Sequence, residues 1–389
     1  MVSGQAVAQE VRPLGDARLR YEHVEQDGAE RDSGGLTLRI RAGAEASWRD
    51  WSLLAEAEGT AHLAGSYFSG LDGDPERPLI ADPENAELNR LQLQYRGLPD
   101  TKITIGRQRI NLEDQRFVGA SGWRQNEQTF DAVRIEHGRP ESLRLDLAYS
   151  WSVRTIWGVD GKGARPQSIG GNNVFATVSH PTPLGALSGF AFLVDQDDAD
   201  VQAFRLSSQT YGLRLAGTRP VAPGARLAYA LSYAVQSDFH HNPNSYRSEY
   251  WLADLGLEAG PVRLGLGHER LGADRGLPFT SFQTPLATLH RFQGWADRFL
   301  ITPPDGIRDW YASAGYGWKN IAGFDTLSAS VTHHRFNADR LSRHYGSEWD
   351  ALLSAKKGRW TIAAKYAAYD ADEFSTDGRK AWLQLEWAY

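Results

Sequence analysis

Apolar side chains return at every second position through most of this chain. Leu36, Leu38, Ile40, Ala42 and Ala44 alternate with Thr37, Arg39, Arg41 and Glu45, and Trp51, Leu53, Ala55 and Ala57 are opposed by Glu56 and Glu58. Successive side chains of an extended chain point to opposite faces, so this period of two predicts strands with one greasy and one charged face. The rhythm continues through Leu91, Leu93 and Tyr95, through Leu143–Val153 and Leu227–Val235, and on to Trp360, Ile362, Ala364 and Tyr366. Short turns at 97–100, 220–224 and 319–323 alternate with long polar connections near 65–87, 159–172, 195–202, 238–247 and 271–307. The spacing predicts about 18 strands. The segment Lys380–Tyr389 sends Leu383, Leu385, Trp387 and Tyr389 one way and Trp382, Gln384, Glu386 and Ala388 the other.

Sandwiches and propellers also alternate, but no blade-length repeat is visible here. The charged face and the aromatic last segment fit a membrane barrel better. Its final strand must close the sheet, its rings favour the membrane–water interface, and its charges line a wet lumen. The predicted fold class is therefore all-β: a transmembrane antiparallel barrel with long extracellular loops, short periplasmic turns and both termini on the turn side. No run of about 18 apolar residues exists to make a membrane helix. Thirteen Trp, 15 Tyr and 15 Phe would supply girdles at two interfaces. Zero cysteines exclude disulfides and thiol chemistry. A net charge of -6 from 42 basic and 48 acidic residues, mixed along the chain, argues against nucleic acid as a partner. Ala6-Val7-Ala8 fits the small-residue pattern before a leader cleavage site. Residues 1–8 are accordingly expected to be a leader remnant or a polar tail, and 9–389 a single barrel.

Three stretches are more specific than strand filler. Gly106-Arg107-Gln108-Arg109-Ile110-Asn111-Leu112 precedes Gly122-Trp123-Arg124-Gln125-Asn126-Glu127-Gln128-Thr129-Phe130-Asp131-Ala132, and Phe282–His290 leads into Phe292-Gln293-Gly294-Trp295-Ala296-Asp297. With these, Ala57-Glu58-Gly59-Thr60 and the last strands, the chain resembles the alginate-export family of outer-membrane barrels from Gly15 to Tyr389. The resemblance implies an 18-stranded barrel in a Gram-negative outer membrane, inserted by the barrel-assembly machinery beside lipid and lipopolysaccharide, with a charged lumen that passes solutes. The expected function is a monomeric porin-like channel for small polar or anionic solutes, with saccharides as one class. Export of an acidic polysaccharide such as alginate, and a non-conducting barrel whose loops bind a ligand or partner, remain alternatives.

Arg107, Arg109, Arg116, Arg124 and Arg134 fall in one hairpin and its loop, and such a cluster offers planar forks to carboxylates or phosphates. They are equally able to brace that loop against Glu113, Asp114, Glu127 and Asp131. Arg39, Arg41, Arg90, Arg96, Glu56 and Glu58 are further lumen candidates by parity, together with Arg18, Arg20, Arg144, Arg214 and Glu22. The connection 271–307 is too long and too rich in aromatics for a passive loop. It is expected to fold into the lumen, with Arg291, Asp297 and Arg298 facing the channel, or else to cap it. Trp123 and Trp295 are candidate sugar-stacking platforms. No enzyme is expected: the pairs His240-His241 and His333-His334 diverge on a strand, and no nucleophile elbow, phosphate loop or zinc helix occurs. The run Asp195, Asp197, Asp198 and Asp200 lacks calcium-loop spacing, so no metal and no cofactor are expected.

Overall fold

In the computed structural model, which describes residues 10–389, eighteen antiparallel strands close on themselves. They are β1 (Glu10–Gln26), β2 (Ser33–Trp48), β3 (Trp51–Ser66), β4 (Asn85–Leu98), β5 (Thr101–Gln108), β6 (Thr129–His137), β7 (Arg144–Arg154), β8 (Ser168–Thr182) and β9 (Gly185–Val194). The second half comprises β10 (Ser208–Ala222), β11 (Ala225–Asp238), β12 (Arg247–Ala259), β13 (Val262–Leu271), β14 (Ile307–Ile321), β15 (Phe324–Asn337), β16 (His344–Lys357), β17 (Trp360–Ala371) and β18 (Gly378–Ala388). β1 pairs with both β2 and β18, from Asp16↔Ala388 to Gln26↔Gly378, so no strand edge is left free. The leader expectation for residues 1–8 lies outside the described residues.

Alternation decides what each face meets. Leu383, Leu385 and Tyr389 are exposed on the outer wall while Trp382 and Gln384 are buried inside. Ile40, Leu53, Leu91, Leu231, Leu266, Trp310, Trp349 and Ile362 join the outer apolar surface. So extensive an exposed apolar face suits hydrocarbon and not water. At the end carrying the C-terminus, most turns have two residues, and Arg49, Asp100, Gly224, Gly260, Gly323 and Gly358 take the positive φ that tight hairpins require. The opposite end carries the connections 67–84, 109–128, 155–167, 195–207 and 272–306. The short–long rhythm is looser than expected, because 27–32, 338–343 and 372–377 on the long side are brief. β8 also begins at Ser168, inside the segment 159–172 that reads as loop.

The interior departs from a uniformly wet lumen. Phe130, Phe175, Phe190, Phe192 and Tyr250 point inward near the long-loop end and are buried. Phe117 fills the space among them, with ring centroids 5.2 Å from Phe190 and from Tyr250 and 5.9 Å from Phe282. Two connections supply these partners by lying inside the barrel, where their apolar sides find one another.

Candidate functional site

The first inward connection, L3 (residues 109–128), leaves β5 and crosses the interior. Val118 bridges Leu286 of the second, L7 (residues 272–306), and Gly119 N–H donates to the Leu286 carbonyl at 2.9 Å. Gln128 and Thr288 add side-chain bonds across the same seam. Both connections then reach the wall. Arg18 on β1 donates to the carbonyls of Gly122 and Trp123 at 3.1 Å each, and Arg20 donates to Trp123 at 2.6 Å. On the far side, Arg116 reaches Glu269 of β13 at 2.6 Å and Thr284 at 2.9 Å. L7 is held by Glu348 of β16, which accepts from Ala296 N–H at 2.7 Å, and by Gln236 of β11, which accepts from Gln283 N–H at 2.8 Å.

A network on β1–β4 organises the arginines expected in the lumen. A bulge in β4 leaves Asn89 unpaired in the register, so Asn89 and Arg90 both turn toward Glu56 of β3. Glu56 accepts from Arg90 at 2.8 and 2.6 Å, from Asn89 at 2.8 Å and from Arg109 at 3.3 Å. Arg41 binds Glu58 and lies 3.3 Å from Glu127, which also binds Arg109. Three guanidiniums and three carboxylates thus share one buried wall. Arg39 pairs with Asp16, and Glu386 lies 3.5 Å away. Arg134 pairs with Asp146 at 2.5 Å, and among the described residues Arg96 bonds through its side chain to Gln94, at 3.1 Å. Arg96, Asn111, Glu113, Glu136 and Arg144 line a vestibule of about 690 Å³ at the short-turn end.

Arg107 stands elsewhere. It shares the outer face of β5 with Ile103 and Ile105, pairs across the ladder with Leu91, and binds Asp131 at 2.8 and 3.1 Å. Parity from Ile105 settles this. The sequence proximity of Arg107 to Arg109 is misleading, because β5 ends at Gln108 and Arg109 already belongs to L3.

The two loops lock at Asp297. Its carboxylate accepts from Arg124 of L3 at 3.0 Å and Lys380 of β18 at 3.2 Å, while His290 Nδ1 lies 2.8 Å away. On the other side of that imidazole, Lys365 of β17 stands 2.8 Å from Nε2. With Lys365 as an ammonium donor, Nε2 accepts and the ring is neutral, donating from Nδ1 to Asp297. Trp123 stacks on His290 at 4.6 Å with an interplanar angle of 9°. The Lys365 ammonium sits 3.8 Å from the ring centroids of both Trp123 and Trp295. Arg20 lies 4.0 Å above Trp123 as well, so both candidate platforms already hold the protein's own cations. Arg298 anchors L7 to Gln26 at 2.8 Å, whereas Arg291 is exposed and meets no carboxylate within bonding range among the described residues.

Titration of this lock has a definite sign. Burial holds the His290 imidazolium well below its usual pKa of 6.5, against the opposing pull of Asp297. Burial alone would raise the Asp297 carboxyl, but facing His290, Lys380 and Arg124 bring it well below 3.8. Both groups bind fewer protons in the docked loop than in a released one, so docking weakens as pH falls. The loss begins below about pH 6.5 through His290. Asp297 adds to it below about pH 4, down through its depressed value. Cleavage of L7 at Arg275, Arg291 or Arg298 by an added protease is expected to quicken between pH 7 and 5; equal rates across that range would remove the lock.

His334 and His333 diverge as expected, His334 toward Asp309 at 2.9 Å and His333 onto Trp349. Asp195 is buried and accepts from Asn172 N–H at 2.8 Å, so it fixes a turn.

With this geometry in place, comparison decides the affiliation. The family model described as alginate export matches residues 16–256, more than half of the chain. The chain belongs to the alginate export family. No curated protein matches it. Among solved structures, Acinetobacter baumannii OccAB4 is similar with a TM-score of 0.72 at 14% identity, covering 99% of both chains. Pseudomonas aeruginosa OpdL gives 0.67 at 15% identity over 98% of this chain and 99% of that one. P. aeruginosa OpdK, solved with vanillate, gives 0.67 at 14% over 97% and 98%. At these identities the likeness establishes the fold alone, an 18-stranded barrel of outer-membrane porin type. Within the alginate export family frame, sequence reasoning overlooked Lys365, His290, Lys380 and Glu269. Lys365 and Lys380 were open to parity, lying between outward Ala364 and Tyr366 and beside outward Ala381.

Proposed function

We propose that this protein is a passive channel in the outer membrane of a Gram-negative bacterium, carrying small polar or anionic solutes, saccharides among them. The observation that carries this reading is the wall of β1–β4, where paired guanidiniums and carboxylates face two inward loops, a charged lining that favours polar and charged solutes over apolar ones. No covalent chemistry is assigned to any group, and the lumen acts through charge, hydrogen bonding and width. L7 and L3 together narrow the passage, and the Asp297 lock sets how far. A lone barrel in lipid and lipopolysaccharide is sufficient for this activity.

A second reading, a barrel kept shut whose loops bind a ligand, is favoured by the direct seam between Val118 and Leu286. Planar-bilayer recording separates the two. The channel reading expects discrete openings, and the reversal potential in a salt gradient then reports whether anions are preferred. A silent bilayer with correctly folded protein would favour the shut barrel. Liposome swelling with neutral and acidic sugars then ranks the solutes, and export of a long acidic chain would require the lumen to pass oligomers.

A further inference from the structure

The outer wall carries a cluster of guanidiniums where β13, β14 and β15 meet the long connections. Arg270 of β13 and Arg308 of β14 stand directly opposite in the ladder, and Arg335 of β15 lies diagonally beyond, opposite Trp310. Parity turns all three outward, in line with the exposed Leu266, Trp310 and Val331. Opposed side chains in a sheet lie about 5 Å apart at Cβ and diagonal ones about 7–8 Å, and like charges so placed repel unless they are matched. The carboxylates bonded to this cluster are Asp339, at 2.6 and 3.1 Å, and Glu249, at 3.4 Å, and both engage Arg270. Among the described residues, Arg308 donates only to the Ala338 carbonyl, at 2.9 and 2.7 Å, and the exposed Arg335 side chain meets no partner. Two neighbouring guanidiniums thus lack a counter-charge, on a chain whose net charge is -6.

The wall beside this cluster is hollowed. A groove of about 500 Å³ crosses β9–β13, with Leu187, Leu213, Leu231 and Trp251 on its sides and His268 and Arg270 at the end nearest the long connections. Ala253, whose ladder partners are Leu231 and His268, puts a small side chain into it. Trp310 lies two residues further from the loop than Arg308, and aromatic rings concentrate at the membrane interface, so the guanidiniums stand at head-group depth.

We infer that this surface holds one phosphorylated, multiply acylated lipid of the outer leaflet, the chemistry that lipopolysaccharide presents, with phosphate on Arg308 and Arg335 and an acyl chain in the groove. Guanidinium forks match phosphate oxygens in pairs. The charge selects against a zwitterionic lipid, and the groove selects against phosphate alone. The inference rests on the long connections facing the cell exterior and not on conduction.

Native mass spectrometry of the detergent-solubilised full chain tests it, with bisphosphorylated lipid A, a phosphatidylcholine and inorganic phosphate as probes. One retained lipid A per chain is expected, and retention of neither other probe. The double variant Arg308→Gln/Arg335→Gln should weaken lipid A at least about tenfold, the usual worth of a charge-assisted hydrogen bond. Ala253→Trp, which fills the groove without changing charge, should weaken it as well. All three positions face outward, so heat-modifiable migration and bilayer current should stay as in the wild type. Equal retention of lipid A by the wild type and the double variant, or of phosphatidylcholine or phosphate as firmly as lipid A, would overturn the inference. So would a dimer of the chain that Ala253→Trp dissociates, because a second copy would then be the occupant. Each of these results leaves the channel reading intact, since bilayer current tests that separately.

Discussion

Asp297→Ala will release L7 from the wall and raise single-channel conductance. The carboxylate it removes is buried and shared by Arg124, Lys380 and His290. Arg124 and Lys380 then lose their only ion pair at bonding distance among the described residues. Breaking a buried pair by deleting one partner costs about 3–5 kcal/mol, far more than the pair's own net contribution. L7 has an escape from that cost, since moving away lets water reach Arg124 and Lys380. The barrel itself does not depend on Asp297, because its ladder closes through β1 and β18. The expected signature is therefore selective: unchanged heat-modifiable migration of the folded barrel, faster protease nicking at Arg291 and Arg298, and larger, noisier openings. Asp297→Asn should lie between, because it keeps the shape and one acceptor but drops the charge. Wild-type conductance and nicking in Asp297→Ala would show that the lock does not hold the loop.

Much of the fold was legible because a strand's parity is a strong local signal. Leu36 to Ala44 against Thr37 to Glu45 fixes which face of β2 meets hydrocarbon, and the closing strand repeats the scheme from Trp382 to Tyr389. The count of about 18 followed from the same rule. Parity fails where regular backbone stops. Arg107 and Arg109 share a residue type and a spacing of two, yet the end of β5 at Gln108 separates an outer-wall ion pair from an interior one. The β4 bulge turns Asn89 inward beside Arg90, which alternation alone cannot express.

The interior ion pairs were less legible for a physical reason. Charged side chains of both signs stand on the inner faces of β1–β4, so composition allows a ladder of free arginines or a set of neutralised pairs. Which one forms depends on contacts such as Arg41 with Glu127 and Arg116 with Glu269, made by a loop that folds back across the lumen. The bracing role for Arg109 and Arg124 is the one the geometry favours. Trp123 and Trp295 likewise carry no local mark of being already occupied. Lys365 reaches them from β17, far along the chain from L3.

The largest change in conductance is expected from removing residues 274–304 altogether. Leu271 pairs with Ile307 at the mouths of β13 and β14, so the cut ends already lie side by side. Gly272, Ala273, Asp305 and Gly306 would remain between them, and four residues suffice for a hairpin connection. Deletion takes away Phe282 and Phe299, both buried. It also leaves Phe117, Phe336 and Tyr345 facing water, which costs stability but not closure, since none of them contributes to the ladder between β18 and β1. Resistance to ion flow is dominated by the narrowest section. If L7 forms that section, its loss should raise conductance several-fold and weaken discrimination among sugars in the swelling assay. Asp297→Ala should reach only part of that increase, because a released loop still fluctuates within the mouth. Equal conductance in the deletion and the wild type would place the constriction elsewhere, with L3 and the arginine wall as the remaining candidates.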